Sequence, residues 1–342
     1  MKIAIDAMGG DFAPKEIIEG ALHAAAKEKN VELILVGSEE AFAKYLPTLP
    51  ERVETVISHS VMAMDESVEN LRKKKDSSIF MATQLVAEKK ADAIVSCGST
   101  GAQMGAALLL LGRIKGVKRP AIVVPYPTLK GDRVLLDAGA NADADANNLL
   151  DFAIMGNAYA RFLIGKEMPE VVLLSNGTEA HKGTAVIREA HQLMAAATGF
   201  DFKGNIEGRD IMVGDYDVVV ADGFTGNLVI KLTEGVASGL FQLVKDEITA
   251  TTTRKLGAAL VKPGLKNIAK KFDYSNYGGA PLLGVNGISL VCHGSSKANA
   301  VEHAIYNAVS FVNQNFVGAL TADVTTYKEA QKQDLSGGKE NE

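Results

Sequence analysis

The stretch ADAIVSCGSTGAQMGAALLLL, residues 91–111, contains one complete structural unit. Residues 93–96 are a short apolar run without polar alternation, the pattern of a strand covered on both faces. Cys97–Gly101 (CGSTG) is a turn of glycine and hydroxyl residues. Residues 101–111 then have the length and composition of a helix. The same order recurs in both directions along the chain. Further apolar runs lie at 3–5, 33–36, 53–57, 121–124, 134–136, 171–174, 218–221 and 288–292. Helical patterns fall at 15–29, 78–89, 147–162, 184–197, 227–249 and 297–313. Such alternation predicts an α/β fold built on a doubly wound, mostly parallel sheet. Two lobes sharing a cleft are expected, with residues 125–133 (PYPTLKGDR) as the crossing and a helical hairpin protruding from the body.

The 342 residues carry 36 Lys and Arg against 41 Asp and Glu, a formal net charge of −5. Nucleic acid is therefore not expected as a partner. A hydrophobic content of 47% with 23% charged residues is ordinary for a globular chain and excludes bulk disorder. Cys97 and Cys292 are far apart and neither lies in a Cys-x-x-Cys, so neither a disulfide framework nor a zinc ribbon is expected. The start MKIAIDAMGGD lacks the features of a signal peptide. The longest apolar cluster, 106–111, is far short of the ~18 residues of a membrane span. The expected location is cytoplasmic.

The 33 glycines collect after the strands. DAMGGD (Asp6–Asp11), CGSTG (Cys97–Gly101), DAGAN (Asp137–Asn141), SNGTE (Ser175–Glu179), DGFTGN (Asp222–Asn227) and HGSS (His293–Ser296) each follow an apolar run. Ligands of open α/β sheets bind outside these carboxyl ends. Glycine admits backbone N–H groups close to an anion, and a helix that follows offers more of them. Each loop taken singly reads equally as a turn or a cap; Ser99 or Thr100 is either the N-cap of the next helix or a ligand. Six such loops point to a phosphate cleft. The expected phosphate ligands are Ser99, Thr100, Gly101, Asn141, Gly223, Thr225, Gly226, Gly294, Ser295 and Ser296. Asp6, Gly9, Gly10, Asp11, Asn176, Asp222, Lys231, Gly278 and Gly279 are expected to touch substrate or orient loops.

P-loop, complete dinucleotide, H-E-x-x-H and G-x-S-x-G motifs are all absent. What remains is a phosphate site without an evident protein nucleophile or metal cage. That suits a reaction in which phosphate itself attacks an activated carbonyl such as a thioester. His293 is the expected donor or proton carrier. Lys182 is an expected cation near one loop; Lys231 is a cation near another or simply a solvated lysine.

The ordered motifs DAMGGD, SCGSTGA (Ser96–Ala102), DAGAN, NGTE (Asn176–Glu179), DGFTGN, YSNYGGAPLLG (Tyr274–Gly284) and HGSS resemble the bacterial phosphate acyltransferase family of phospholipid synthesis (PlsX), from about Met1 to Leu320. The resemblance implies transfer of an acyl group from acyl-[acyl-carrier-protein] to orthophosphate, with acyl phosphate passed to a membrane glycerol-phosphate acyltransferase. It also implies a homodimer, no metal or organic cofactor, and a fold like isopropylmalate dehydrogenase. DVVVADGFTGN (residues 217–227), APLLG and HGSS look more distantly like the closing motifs of phosphotransacetylases. Where those carry Ser-Arg-Gly, this chain has Cys292, His293 and Gly294, and a family aspartate falls near Asn299. The expected catalytic residues are His293, Asn227 and Lys182. The rival readings are a short-chain phosphotransacetylase acting on coenzyme A, a nicotinamide-linked oxidoreductase and a lipid-binding adaptor.

Two basic segments complete the pattern. Residues 248–272 hold Arg254, Lys255, Lys262, Lys266, Lys270 and Lys271 and no acid. Leu256, Leu260 and Val261 precede Pro263, and Leu265 follows it. A helix–Pro–helix hook of this kind suits an anionic membrane surface, or else packs a dimer. Arg72, Lys73, Lys74 and Lys75 form a patch suited to an acidic carrier protein, or else a solvated helix end. Residues 1–326 are expected as the two-lobed acyltransferase unit containing the hook, and residues 327–342 as a mobile polar tail.

Overall fold

The computed structural model describes residues 1–272 and 277–337, with side chains of the last helix described to residue 330. The strands are β1 (Lys2–Asp6), β2 (Glu32–Gly37), β3 (Val53–Ile57), β4 (Ala93–Ser96), β5 (Ala121–Ile122), β6 (Val124–Thr128), β7 (Gly131–Leu136), β8 (Glu170–Ser175), β9 (Asp201–Glu207), β10 (Val218–Val220), β11 (Ala280–Leu283) and β12 (Ile288–Val291). The helices are α1 (Lys15–Lys27), α2 (Glu39–Tyr45), α3 (Ser78–Ala87), α4 (Thr100–Ala106), α5 (Ala146–Ile164), α6 (Ala185–Ala195), α7 (Gly223–Ile248), α8 (Thr252–Lys271), α9 (Ala298–Asn313) and α10 (Phe316–Gly337).

Where one sheet is expected, two form. The first runs β3–β2–β1–β4–β12–β11–β5 and the second β6–β7–β10–β8–β9. Both are mainly parallel; β11 is antiparallel to β12 and to β5, and β6 is antiparallel to β7. The division lies at Val123. Its N–H donates to the Pro281 carbonyl at 3.2 Å, while the Ala138 N–H donates to the Ile122 carbonyl at 2.9 Å. The chain thus leaves β5 at the edge of one sheet and enters β6 at the edge of the other, just before the expected crossing. Pro125 and Pro127 sit in β6, an outer strand where a missing N–H is tolerated.

One apolar cluster runs through both sheets, from Ile3, Leu33 and Val95 to Val134, Leu173 and Val220. Its centre is α5, where Leu149, Phe152, Ala153 and Met155 are fully buried. A helix apolar on most faces has to be an interior helix. Asp145 and Asn148 close a reciprocal capping box at its start, and Gly165 ends it with φ of 76°. The polar, half-buried β9, the short β11 with Pro281, and α2 carry too weak a pattern to be read from sequence.

The hairpin α7–α8 projects from the body. Its two helices are tied by an edge-on Phe241–Phe272 contact at 6.4 Å and an ion pair of Arg254 with Glu247. Instead of two helices around Pro263, α8 is continuous with Pro263 inside it, and it buries no residue. The expected tail also begins as structure. Tyr327 stacks on Phe200 at 6.4 Å and Lys328 pairs with buried Asp151, so α10 continues to Gly337. Residues 338–342 of that tail, and Tyr274–Asn276 of one family motif, lie outside the described residues.

Candidate active site

The carboxyl ends of β1, β4 and β12 form a first rim. Asp6, fully buried at the end of β1, accepts the Ser96 hydroxyl at 2.7 Å and the Met8 N–H at 3.2 Å. Burial pushes its carboxyl up from the ordinary range, and these donors oppose the shift. A Cβ at Gly9 would fall 2.4 Å from the Asp6 carboxylate and 2.7 Å from the Gly98 nitrogen, so the first loop lies directly on the second. The Asp11 N–H donates to the Gly294 carbonyl at 2.8 Å and brings in the third. Gly10, with φ of 112°, turns the chain between Cys97 and Gly294. The neighbouring Cys292 thiol and burial push the Cys97 thiol up, which opposes a thiolate nucleophile here.

His293 is exposed on this rim. Its Nδ1 meets the Ser295 hydroxyl at 2.7 Å and accepts the Ser295 N–H at 3.2 Å. Nε2 is the ring atom left to face a substrate. Ser99 caps α4, accepting the Ala102 N–H at 3.5 Å, and Thr100 and Gly101 open that helix, half-exposed. Ser296 is buried, with its N–H on the His293 carbonyl.

A second rim forms at β7 and β10. Asp137 is fully buried, and its carboxylate accepts the N–H groups of Ile122, Gly139, Ala140 and Asn141 and the Asn141 amide, at 2.7–3.2 Å. Burial pushes this carboxyl up as well, and the five donors oppose it. Sequence reasoning gave Asp137 no role, although it heads a quoted motif. Asn141 is spent inside: its amide also donates to the Pro120 carbonyl and its own carbonyl accepts the Gly223 N–H. The Gly226 N–H goes to the Asp222 carbonyl. The Thr225 hydroxyl donates to Asp222, which caps α7. These expected phosphate ligands are thus engaged inside the fold, chiefly by Asp137 and Asp222. Asn227 lies against Gly139, where a Cβ would stand 3.4 Å from its amide carbon. Ala138 and Ala140 pack against the apolar cluster holding Val291, Ala107 and Leu111 beneath the first rim, so the two rims adjoin.

A cleft of about 1120 Å³ opens beside the second rim, lined by Asn148, Ser175, Asn176, Thr184, Asp222 and Phe224 among others. The remaining expected residues are dispersed. The stem of Lys182 folds over Gly177, and Lys231 is exposed on α7. Gly278 packs on the α9 backbone at Ala304 and Gly279 on the Cys292 sulfur, so both serve close packing. Lys74 pairs with Glu66 at 2.7 Å, leaving Arg72, Lys73 and Lys75 exposed. On the hook, Leu256, Leu260 and Val261 are exposed and Leu265 is half-buried. Among the described residues, no group of three or more His, Cys, Asp or Glu gathers as a metal site, and no helix is long and apolar enough to cross a membrane.

A family profile described as fatty acid synthesis protein matches residues 1–318. The chain is similar to a phosphate acyltransferase of Desulfitobacterium hafniense, 51% identical over 336 residues that cover 97% of this chain and 100% of the relative. It is similar to another from Heliobacterium modesticaldum, 49% identical over 325 residues, 94% and 96% of the two chains. Its fold is similar to that of a phosphotransacetylase from Streptococcus pyogenes, with a TM-score of 0.61, 19% identity, and 92% and 94% of the chains covered.

The contact between the two loops of the second rim can be tested by glycine substitution. A Cβ at Gly226 would fall 2.0 Å from the Asp137 carbonyl oxygen, whereas one at Gly235 on the same helix meets nothing within 4 Å. In urea unfolding, Gly226→Ala is expected to lose about 1–3 kcal/mol, and Gly235→Ala to gain about 0.5–1 kcal/mol. Equal stability of the two variants would contradict the packing described.

Proposed function

The chain belongs to the fatty acid synthesis protein family, and we propose that this phosphate acyltransferase moves a fatty acyl group from an acyl carrier protein to orthophosphate. An oxygen of hydrogen phosphate bonds to the thioester carbonyl carbon. The tetrahedral intermediate then breaks its C–S bond, giving acyl phosphate and the carrier thiol. The proton lost by the attacking phosphate passes through His293 Nε2 to the departing sulfur. Phosphate is held by the Thr100 hydroxyl, the Gly101 N–H and the Gly294–Ser296 loop, with Ser99 ordering the turn. The Asn227 amide donates to the developing oxyanion, and Lys182 supplies a cation as the donor enters. Asp6, Asp137 and Asp222 hold the loops and keep their charge turned away from the phosphate.

The observation that carries this reading is the joining of the first three loops through backbone contacts, Gly9 on Gly98 and Asp11 N–H on the Gly294 carbonyl. That join supports a site shared by the His293 loop and the hydroxyl and N–H groups of the Ser99–Gly101 turn. With hydroxylamine present, long-chain acyl carrier, phosphate and the protein together are expected to yield acyl hydroxamate well above the direct reaction of the thioester with hydroxylamine, and omission of phosphate to remove that increase. Phosphate-dependent hydroxamate from short acyl-CoA, with none from acyl carrier, would replace this reading by phosphotransacetylase chemistry. His293→Ala is expected to lower kcat by about 10²–10⁴ with little change in carrier KM; an unchanged kcat would remove His293 from the mechanism.

The carrier is acidic, and Arg72, Lys73 and Lys75 are its docking cations. A second copy of the chain covers the exposed Leu232, Val236, Leu240 and Leu243 of α7, which recur on one helix face. Leu256, Leu260 and Val261 of α8, amid six cations, face an anionic bilayer as a peripheral contact. There the acyl phosphate passes to a membrane glycerol-phosphate acyltransferase. Leu260→Glu is expected to abolish flotation with anionic vesicles while leaving turnover in solution intact. Undiminished flotation would return the hook to dimer packing.

A further inference from the structure

Residues 61–75 form a strap across the first rim. Met62 and Leu71 anchor it, buried with Ile79, Phe80, Ala102 and Ala106 of α3 and α4. Lys74 closes it by donating to Glu66 at 2.7 Å and to the Val61 carbonyl at 3.0 Å. Glu66 also accepts the Ala63 N–H and the Asn70 amide, and the Lys74 ammonium holds its carboxyl below the usual carboxylate range. The strap is therefore preformed.

Between its anchors the strap leaves two apolar side chains open, Met64 at 48% and Val68 at 39% exposure. Both lie on glycines of the rim. A Cβ at Gly294 would fall 2.8 Å from Met64 Cε. A Cβ at Gly101 would fall 3.0 Å from Val68 Cγ2, and one at Gly105 2.6 Å from Val68 Cγ1. Phe12, 43% exposed, follows Asp11, whose N–H is bound to Gly294. Three partly exposed apolar groups thus border the loops that carry His293, Thr100 and Gly101, with the Lys297 ammonium 5.7 Å from the Phe12 ring centre.

We infer that Phe12, Met64 and Val68 form the entry site for the acyl chain of the donor. The inference rests on the phosphate acyltransferase reading and adds where the chain lies. A carbonyl brought to phosphate on the first rim must place its first methylenes on whatever adjoins that rim. Here the adjoining surface is apolar, and a thioether conforms to chains of different shape. Phe224, at the other rim, opens onto a cleft lined by Asn148, Ser175 and Asn176 but also by Leu149, Leu174, Val186 and Ile187; that cleft adjoins the second rim and includes none of the loops that carry His293, Thr100 and Gly101. The same strap ends in Arg72, Lys73 and Lys75. One element thereby presents apolar groups for the chain and cations for the acidic protein that bears it, as a single donor requires.

The test compares palmitoyl and butyryl carrier as donors for Met64→Gln and Val68→Thr, both close in volume to the parent residues. Palmitoyl-carrier KM is expected to rise about tenfold, and butyryl-carrier KM and phosphate KM to stay within about twofold. Met64→Leu should restore the parent value, and Leu129→Gln, remote and exposed, should change neither donor. Equal effects on the two donors, or none on either, would overturn the entry site while leaving the reaction standing. If the parent protein makes no acyl phosphate from any donor, the underlying reading falls and this inference with it.

Discussion

Backbone lying directly on backbone is the constraint on which the site depends. Five of the six loops crowd onto two adjoining rims, and side chains at the crossings would hold them apart. At Gly9, Gly223 and Gly226 even one carbon would sit within 2.7 Å of a backbone or carboxylate atom. Glycine at these points costs conformational entropy in folding. That cost is offset by hydrogen bonds made across the contacts, such as Asp11 to Gly294 and Gly223 to Asn141.

Two buried carboxylates do parallel work, one for each sheet. Asp6 ends the first strand of its sheet and gathers Ser96 and its own loop. Asp137 follows β7 and gathers Ile122, its own loop and Asn141. A buried carboxylate is expensive unless its oxygens are filled, and both are well supplied with donors. The arrangement also sorts polar atoms by direction. Donors bound to Asp6, Asp137 or Asp222 face inward, so an anion can meet only those remaining. On the first rim these belong to Thr100, Gly101 and the His293 loop. Asp6, Asp137 and Asp222 thus serve as anchors, with their oxygens already engaged, whereas the carboxylate of exposed Asp11 borders Gly294.

Much of the fold was legible because buried parallel strands announce themselves as apolar runs; all nine runs coincide with strands, although Val53–Ile57, on the outer β3, is interrupted by Glu54 and Thr55 and mostly exposed. The second sheet was not, because the switch at Val123 depends on its N–H reaching Pro281, 158 residues away. The loops were legible as a set, since glycine clusters mark strand ends. Their inner division of labour was not. Asn141 and Thr225 carry the right chemistry for phosphate, but spacing alone does not say that Asp137 and Asp222 have taken their donors. Met64 and Val68 went unread for the opposite reason. Alone they look like ordinary apolar residues, and they acquire meaning only from the glycines beneath them.

Charge distribution argues that recognition must be local. A chain of net charge −5 repels both an acidic carrier and an anionic bilayer at long range. At physiological salt, charges beyond about 8 Å are largely screened, so the repulsion fades and short-range clusters decide. The exposed cations at 72, 73 and 75 and the acid-free α8 are such clusters, on separate elements. Each is coupled to apolar groups: Met64 and Val68 on the strap, Leu256 and Leu260 on the hairpin. Cations alone would attract any polyanion, and apolar groups alone any hydrophobic surface. Pairing them on one element would, under the proposed function, select partners that offer both features, such as an acylated acidic protein or a lipid bilayer.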